Sequence, residues 1–466
     1  MHNRRDFLKL TTAMPLAVSG GSMLSALTSM NARAIDTGGY KALVCVFLFG
    51  GMDCHDTVIP YDQASYSRYA KIRSSLLASY AAVPGGSSRL RSALLPLEPN
   101  SADFGGRQFG LPSQMRALHN LFSSGQAALV GNVGPLVTPT NRATYKGSDA
   151  ALPKRLFSHN DQQSTWMSFG PEGTQLGWGG GFGDIATRSA ANGTNIFSQI
   201  STFGNTVFLS GDSVGPYQVG PSGVPPIVLF DQLGQQVPAS LEDIIRSHFS
   251  SSDANRSNLF ERDVANLNQV SFEANALLGN ALQTAPDFNT QFPASRLGGQ
   301  LSAVAKTIAV RDALGTSRQI FFVGLGGFDT HSAQATSLPP LQQDISDSIA
   351  AFYAATQEMG LASDVTTFTA ADFGRTLTVN GDGTDHGWGS HHFVVGGAVK
   401  GGDIYGDIPE AVLGHSQDAG NGRLIPSVSV EQLAAPLGGW YGLNPEEISQ
   451  VLPGLKAFPE AGLNLF

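Results

Sequence analysis

Two glycine pairs that lead into acidic and imidazole side chains mark where this sequence could do chemistry. The stretch "FFVGLGGFDTHSAQ" (321–334) is an apolar run that ends in two glycines and continues to Asp329 and His331. "VFLFGGMDCHDT" repeats the arrangement near the start of the chain and carries Asp53. Residues two apart on an extended chain point to the same side, so Asp329 and His331 form half of a site for a divalent metal ion.

Asp53, Asp329 and Asp372 each follow an apolar run that we interpret as a buried strand. In an open parallel sheet, ligands bind beyond the carboxyl ends of the strands. Three carboxylates on one such edge repel one another unless a cation holds them. The strand ends therefore favour a metal site.

The densest polar cluster is "GDGTDHGWGSHHF" (381–393), which contains Asp385, His386, His391 and His392. Its glycines let the backbone turn tightly enough to aim several ligands at one point. A polar loop with solvated histidines is the alternative, and for the adjacent histidine pair alone it is the better interpretation. Together with the aspartate-histidine strand end, the cluster favours metal binding.

The elements that must position these groups alternate along the chain. Five apolar runs read as strands, and they are "KALVCVFLFGG", "AALVGNVG", "RQIFFVGLGG", "VTTFTAADFG" and "HHFVVGGAV". Five segments have helical spacing, and they are "QMRALHNLFSSG", "SLEDIIRSHF", "LSAVAKTIAVRDAL", "LQQDISDSIAAFYAATQEM" and "SVEQLAAPLGGWYG". Strand, helix and strand in this order predict an α/β fold with a parallel sheet. Residues 171–235 are rich in Gly, Ser and Pro, with β-like runs such as "TVFLSG" and "PPIVLF", and predict an inserted cap or surface strands.

Composition excludes some classes of protein. The net charge of −9 and the lack of a Lys/Arg-rich run beyond the N-terminus argue against a nucleic-acid partner. Charged residues make up 14% of the chain, and 55 glycines favour a compact, loop-rich enzyme. Cys45 and Cys54 lie on one extended stretch, too far apart along it for a disulfide.

The first residues read as an export signal. "NRRDFLKL" places Arg4 and Arg5 before a modestly apolar stretch, as twin-arginine signals do, and cleavage is expected after Ala34. We therefore expect a signal peptide (1–34) recognised by the twin-arginine machinery, a mature α/β domain (35–466), and a periplasmic or extracellular location. Ser, Thr, Gly and Pro interrupt the apolar stretch, so a stable membrane anchor is not expected.

Several motifs resemble one exported family. They are "FLFGGMD", "GNVGPL", "LFSHNDQQSTW", "GGFDTH", "FGRTLTVNGDGTDHGWGSHHFVVGGAVKGG" and "GRLIPSVSVEQLAAPL", spread over residues 41–442. The family is domain of unknown function 1501, which resembles the alkaline phosphatase and sulfatase superfamily. The resemblance implies a doubly wound, mostly parallel sheet with helices on both faces, and two divalent metal ions. Zinc, manganese, calcium and magnesium stay open.

The resemblance also implies two sets of metal ligands. The first set is Asp53, Asp385 and His386. The second set is Asp329, His331 and a late histidine, with His391 preferred and His392 in reserve. Alkaline phosphatases space the second-site aspartate and histidine four residues apart, whereas here the spacing is two, which sets this site apart from theirs.

The nucleophile is less well marked. Cys54 lacks the proline or alanine and the arginine that follow a sulfatase-type modified cysteine. Ser158 could attack from a helix N-terminus, although a simple N-cap is the better interpretation of its position. His159 and Asp161 are expected to bind substrate. Arg375 could clamp an anionic oxyester, or it could pair with Asp372.

The expected function is an exported, metal-dependent hydrolase of phosphate or sulfate esters. Its substrate would be an anionic ester, including esters linked to polysaccharides, and the metals would polarise the ester oxygens and activate the nucleophile. The alternative is a non-catalytic, metal-stabilised protein of the same fold that binds an envelope partner or glycan. A binuclear-metal isomerase or mutase is disfavoured by export.

Overall fold

A computed structural model describes residues 38–83, 89–148, 150–189, 191–192, 196–220, 224, 244, 247–249, 258–460 and 462–466. The expected signal peptide and the run "PPIVLF" lie outside these residues, as does most of the helix expected from "SLEDIIRSHF". In the part of the chain that is described, no helix combines the length and the apolarity needed to span a bilayer.

Twelve strands lie in the described residues. They are β1 (Lys41–Phe49), β2 (Ile59–Pro60), β3 (Leu95–Leu97), β4 (Phe109–Leu111), β5 (Ala127–Gly134), β6 (Gln199–Ser201), β7 (Tyr217–Gln218), β8 (Arg318–Gly326), β9 (Val365–Ala371), β10 (Ser390–Val395), β11 (Ile404–Gly406) and β12 (Val428–Ser429). Nine form the central sheet in the order β11-β5-β10-β9-β1-β8-β6-β7, with β12 paired to β5. Strands β2, β4 and β3 form a small separate sheet.

The central sheet is mixed and mostly parallel. β1 pairs in parallel with β8 on one side and with β9 on the other. β10 is antiparallel to both of its neighbours, β5 and β9. The carboxyl ends of β1, β8, β9 and β5 therefore lie at one edge, and β10 begins at that same edge.

Eleven α-helices are described. They are α1 (Gln63–Ile72), α2 (Ser74–Ala82), α3 (Arg116–Ser123), α4 (Arg142–Tyr145), α5 (His159–Ser168), α6 (Trp178–Arg188), α7 (Leu259–Leu282), α8 (Arg296–Ala309), α9 (Gln334–Glu358), α10 (Val430–Tyr441) and α11 (Pro445–Val451).

Helices cover both faces of the sheet, and the alternation of β1 shows how. Val44 and Val46 belong to the hydrophobic core that α3, α8 and α9 cover, whereas Cys45 and Phe47 belong to the core under α5, α6 and α10. Because the side chains from Ala42 to Leu48 are buried on one face or the other, the strand is apolar almost throughout. The expected α/β class, with a mostly parallel sheet covered on both faces, is confirmed.

Some local expectations need correction. "TVFLSG" contains a short 3-10 helix (Val207–Leu209) instead of a strand. Within the Gly/Ser/Pro-rich segment 171–235, α6 packs on one face of the central sheet and β6 and β7 extend its edge, so this described part is built into the main domain. Cys45 and Cys54 are buried free thiols, as expected.

Candidate metal centre

The carboxyl edge of the central sheet gathers the chemical groups. Asp329 and His331 follow β8, and Asp372 follows β9. His386 lies in the loop before β10 and reaches the same edge because β10 is antiparallel. His159 is the first residue of α5, in the chain segment that returns from β5.

Four of these side chains converge. Ligand atoms of His159, Asp329 and His386 all lie within 4.8 Å of one another. His331 Nε2 is 3.2 Å from Asp329 Oδ1 and 2.8 Å from His386 Nε2. The four side chains, called the histidine-aspartate cluster below, are between 24% and 47% exposed, so a ligand can reach them.

Each imidazole of the histidine-aspartate cluster is held through its other nitrogen. His159 Nδ1 lies 2.6 Å from Asp372 Oδ2, His331 Nδ1 lies 3.2 Å from Asp385 Oδ1, and His386 Nδ1 lies 2.8 Å from the Phe157 carbonyl. Carboxylates and carbonyls only accept hydrogen bonds, so Nδ1 is the donor in each ring. In neutral rings the Nε2 atoms then carry lone pairs, and all three face Asp329. This is the arrangement that supporting hydrogen bonds give to metal-binding histidines.

The chemistry of this donor set fits a divalent cation. Two lone-pair nitrogens 2.8 Å apart, His331 Nε2 and His386 Nε2, repel unless a proton or a cation lies between them. Imidazole nitrogens with one carboxylate are ligands for zinc and for several other divalent metals. Asp372 gives a second indication of a bound cation, because its Oδ1 is buried and has no hydrogen-bond partner among the described residues. A buried anionic oxygen without a partner is costly.

The electrostatics keep the carboxylate charged. Burial would raise the pKa of Asp329, but the hydrogen bond and the charge of Arg375 outweigh it and lower that pKa. The hydrogen bond to Asp372 raises the pKa of His159, whereas burial lowers the pKa of His386. The cluster therefore joins a charged carboxylate to two imidazoles, His159 and His386, whose pKa values are shifted in opposite directions.

Two residues beside the site, Phe157 and Gly50, have positive backbone φ angles. Phe157, whose carbonyl holds His386, has φ of 72°, a left-handed conformation that costs a non-glycine residue about 1–3 kcal/mol. Arg423 fixes this contact, since its guanidinium lies 5.2 Å from the Phe157 ring centre and its Nε donates to the His386 carbonyl. At Gly50, with φ of 113°, a Cβ would lie 2.4 Å from Asp329 N. Only glycine allows that close approach.

Arg375 and Asp385 orient two members of the cluster, Asp329 and His331, through direct contacts. The buried Arg375 donates to Asp329 Oδ1 at 2.9 Å and to the Gly50 carbonyl at 3.2 Å. Of the two roles expected for Arg375, pairing with an aspartate is the one observed, but the partner is Asp329 and not Asp372. Asp385 contacts His331 Nδ1 and accepts from Asn380, so it orients a histidine of the cluster.

Asp53 does not join the cluster, which corrects its expected grouping with Asp385 and His386. Its side chain and that of Arg73 are fully buried, and they pair through bonds of 2.7 and 3.0 Å. Gln334 Nε2 and the Asp56 N–H also donate to it, so both carboxylate oxygens are occupied. Burial would raise the pKa of Asp53, but Arg73 outweighs this effect and lowers it.

His391 and His392 also lie apart from the cluster, and the strand direction explains why. β10 starts at the carboxyl edge and runs away from it, so residues after Ser390 point into the sheet's two cores. His391 Nδ1 accepts from Asn132 N at 2.9 Å, and His392 packs edge-on against Trp166. Burial lowers the pKa of each histidine to about 3, so both are neutral at ordinary pH.

Ser158 and Asp161 contact each other instead of the cluster. Ser158 lies at the N-cap position of α5, and its Oγ donates to Asp161 Oδ2 at 2.9 Å. Asp161 is buried and also accepts from the Glu172 N–H. The contact between Ser158 and Asp161 therefore stabilises the first turn of α5, the helix that carries His159.

The sequence matches a described protein family over residues 40–449: "Protein of unknown function (DUF1501)". The chain belongs to this family. No curated protein matches it.

Solved structures give distant similarities to this DUF1501 protein. The C-terminal periplasmic domain of EcEptC from Escherichia coli in complex with Zn is 9% identical, with 78% of this chain and 75% of that one covered and a TM-score of 0.30. Ps i-CgsB in complex with k-i-k-neocarrahexaose is 8% identical, with 90% and 77% covered and a TM-score of 0.33. A mutant of the alkaline phosphatase PafA is 12% identical, with 72% and 64% covered and a TM-score of 0.26.

The DUF1501 chain uses two residues in ways that the sequence did not assign. His159 was expected to bind substrate, but it stands in the cluster, and Asp372 holds it there. Asp372 follows β9 just as Asp329 follows β8, so the strand-end pattern did contain a signal for it. His159 carried no comparable signal, because α5 reaches the cluster from a segment far from it in sequence.

Proposed function

We propose that the protein is a metal-dependent hydrolase of phosphate or sulfate esters. The observation that carries the proposal is the convergence of three Nε2 lone pairs on the Asp329 carboxylate, each fixed by a hydrogen bond at Nδ1. Hydrogen-bonded supports of this kind serve metal sites, because they hold ligands in place before the ion binds.

His159, His331, His386 and Asp329 would hold one divalent ion, and we leave its identity open among zinc, manganese, magnesium and calcium. Among the described residues, one group of three metal-binding side chains lies within ligating distance, and it belongs to this cluster. A bound ion would polarise an ester oxygen and lower the pKa of an attacking water. A second ion, as the resemblance implies, would need ligands beyond this group.

The residues around the cluster keep its geometry. Asp372, Asp385 and the Phe157 carbonyl each hold a proton on Nδ1, which keeps Nε2 free. Arg375, whose own side chain is buried, fixes the orientation of Asp329 through a hydrogen bond. The positive end of the α5 dipole lies at His159, where it favours an anionic phosphoryl or sulfuryl group.

The reaction is a simple hydrolysis. The oxygen of water bonds to phosphorus or sulfur, the bond from that atom to the ester oxygen breaks, and the released alcohol takes up a proton. In this scheme water is the nucleophile, and the Ser158 hydroxyl donates to Asp161.

We further propose that the mature chain works outside the cytoplasm after twin-arginine export, on the basis of the Arg4-Arg5 pattern. Replacing both arginines by lysine should retain the protein in the cytoplasm, as measured by cell fractionation. Unchanged export would remove this part of the proposal.

The test is turnover of chromogenic aryl phosphates and aryl sulfates by metal-loaded protein. We expect at least one ester to be cleaved, Asp329→Asn and His386→Gln to lose both metal and turnover, and Ser158→Ala to keep both. His119→Gln is the matched control, since this histidine bonds the Pro96 carbonyl outside the cluster. Stoichiometric metal without turnover of any ester would instead support the non-catalytic, metal-stabilised function.

A further inference from the structure

An open cavity of about 430 Å³ adjoins the histidine-aspartate cluster. This volume lies within the range of roughly 300–1,000 Å³ that is usual for small-molecule sites. Its walls come from α5, from residues 172–174 and from residues 203–207, and its floor from β1 and β8.

The cavity and the cluster share a wall. Asn160, which lines the cavity, directly follows His159. Gln163, another lining residue, donates through Nε2 to Asp372 Oδ2 at 2.9 Å, and the same oxygen accepts from His159 Nδ1. A molecule whose ester group lies at the cluster would therefore extend its remaining part into this cavity.

The floor is apolar and rigid. Phe49 and Phe203 stack with ring centres 4.9 Å apart, and the fully buried Phe322 lies beside them. A Cβ at Gly324 would lie 2.6 Å from the Phe203 ring and 2.8 Å from the Phe49 ring, so a glycine in β8 makes room for the pair. The packed rings give the cavity a fixed surface for C–H groups.

The rim is polar and almost uncharged. Amide and hydroxyl side chains surround the floor, and they are Asn160, Gln163, Asn205, Thr174 and Thr206. Among the described residues that line the cavity, Glu172 carries a formal charge, and neither lysine nor arginine is present. The charged side chain of the rim is a carboxylate, so the lining residues offer no cation that would pair with the anionic part of a substrate.

An apolar floor with a neutral rim of donors and acceptors matches one ligand chemistry well. A sugar ring presents C–H groups on one face and hydroxyl groups around its edge. The hydroxyl groups can each donate to and accept from amides such as Asn160 and Asn205. Asn160 Nδ2 donates to Glu172 and Asn205 Oδ1 accepts from Gln218, and each amide keeps further donor or acceptor positions for a sugar hydroxyl, which a purely apolar ligand could not use.

We propose that this cavity binds the sugar portion of the substrate, so that the alcohol released by hydrolysis is a carbohydrate hydroxyl. The inference rests on the proposed function for the position of the ester, but its binding test does not depend on hydrolysis. Neutral sugars without an ester are sufficient ligands for the cavity.

The experiment titrates the full mature protein with neutral disaccharides and trisaccharides of glucose, galactose and N-acetylglucosamine, followed by ligand-observed NMR and calorimetry. We expect saturable binding of at least one sugar with a dissociation constant of about 10 mM or tighter. Asn205→Trp and Thr174→Trp, which fill the cavity from its rim, should each weaken binding by about tenfold or more. Asn280→Trp, at an exposed site on α7 away from the cavity, should bind as the wild type does.

Two results would overturn the inference. One is the absence of binding by every sugar in this range, and the other is equal binding by wild type and both cavity-filling variants. Failure of the hydrolase proposal looks different, because it is measured on aryl esters that carry no sugar. A protein that binds sugars but cleaves no ester would keep the cavity assignment and lose the hydrolase.

Discussion

Replacing Arg73 by methionine should destabilise the protein strongly without removing a metal ligand. Arg73 donates twice to Asp53, at 2.7 and 3.0 Å, and also to the carbonyls of Leu377 and Thr376. Neither charged side chain is exposed. Arg73→Met therefore leaves Asp53 as a buried carboxylate without its counter-ion.

The size of the effect follows from that burial. Removing one partner of a buried ion pair costs about 3–5 kcal/mol, because the remaining charge stays desolvated. Gln334 and the Asp56 N–H still donate to Asp53, which places the expected loss at the lower end, about 3 kcal/mol. The double variant Arg73→Met/Asp53→Asn buries no charge, so it should be more stable than Arg73→Met by about 2 kcal/mol.

The assay is urea unfolding followed by tryptophan fluorescence, with the free energy of unfolding extrapolated to water. Chelator in every sample removes any contribution from bound metal. Metal content is measured separately on Asp53→Asn, which should bind as much metal as the wild type. The reasoning fails if Arg73→Met loses less than about 1 kcal/mol while Asp53→Asn loses its metal.

Three further predictions concern the surroundings of the site. His392 is neutral in the folded protein, because burial lowers its pKa to about 3, against roughly 6.5 in the unfolded chain. The free energy of unfolding of the wild type should therefore fall as the pH drops below about 6.5, and in urea unfolding with chelator His392→Phe should reduce the slope of that free energy against pH by up to about 1.4 kcal/mol per pH unit. An identical slope in the variant would contradict the assignment. Asp385→Asn should weaken metal binding by about 10–100-fold in chelator competition, because it orients His331, and unchanged affinity would exclude that role. Gly50→Ala should lower the free energy of unfolding by more than about 1 kcal/mol and should also weaken metal binding. Gly105→Ala, at a glycine with open space around it, should leave the metal affinity unchanged. Equal effects of the two variants on metal affinity would refute the close approach at Gly50.

The fold followed from the apolar runs because a strand buried on both faces has an unmistakable composition. β1, β5, β8 and β9 lie where those runs were found, and the order of strands and helices indicated a parallel sheet. The direction of β10 could not be read this way, because an apolar run looks the same in either orientation. That one direction decides where His391 points.

The site was only partly predictable for a related reason. Spacing identified Asp329 and His331, since both follow one strand and act locally. His159 reaches them through a helix that packs across the sheet, and a sequence does not show such packing. Asp53 fits the strand-end pattern, but in the folded protein its carboxylate forms an ion pair with Arg73, which lies twenty residues later in the sequence.

Anomalous diffraction from crystals grown with zinc, recorded on both sides of the zinc edge, tests the central claim most directly. The predicted result is one strong peak among the Nε2 atoms of His159, His331 and His386 and the Asp329 carboxylate, at about 2.0–2.2 Å from its ligands. A peak at Asp53 or His391 with none at this cluster, or no peak anywhere in fully loaded protein, would contradict the account.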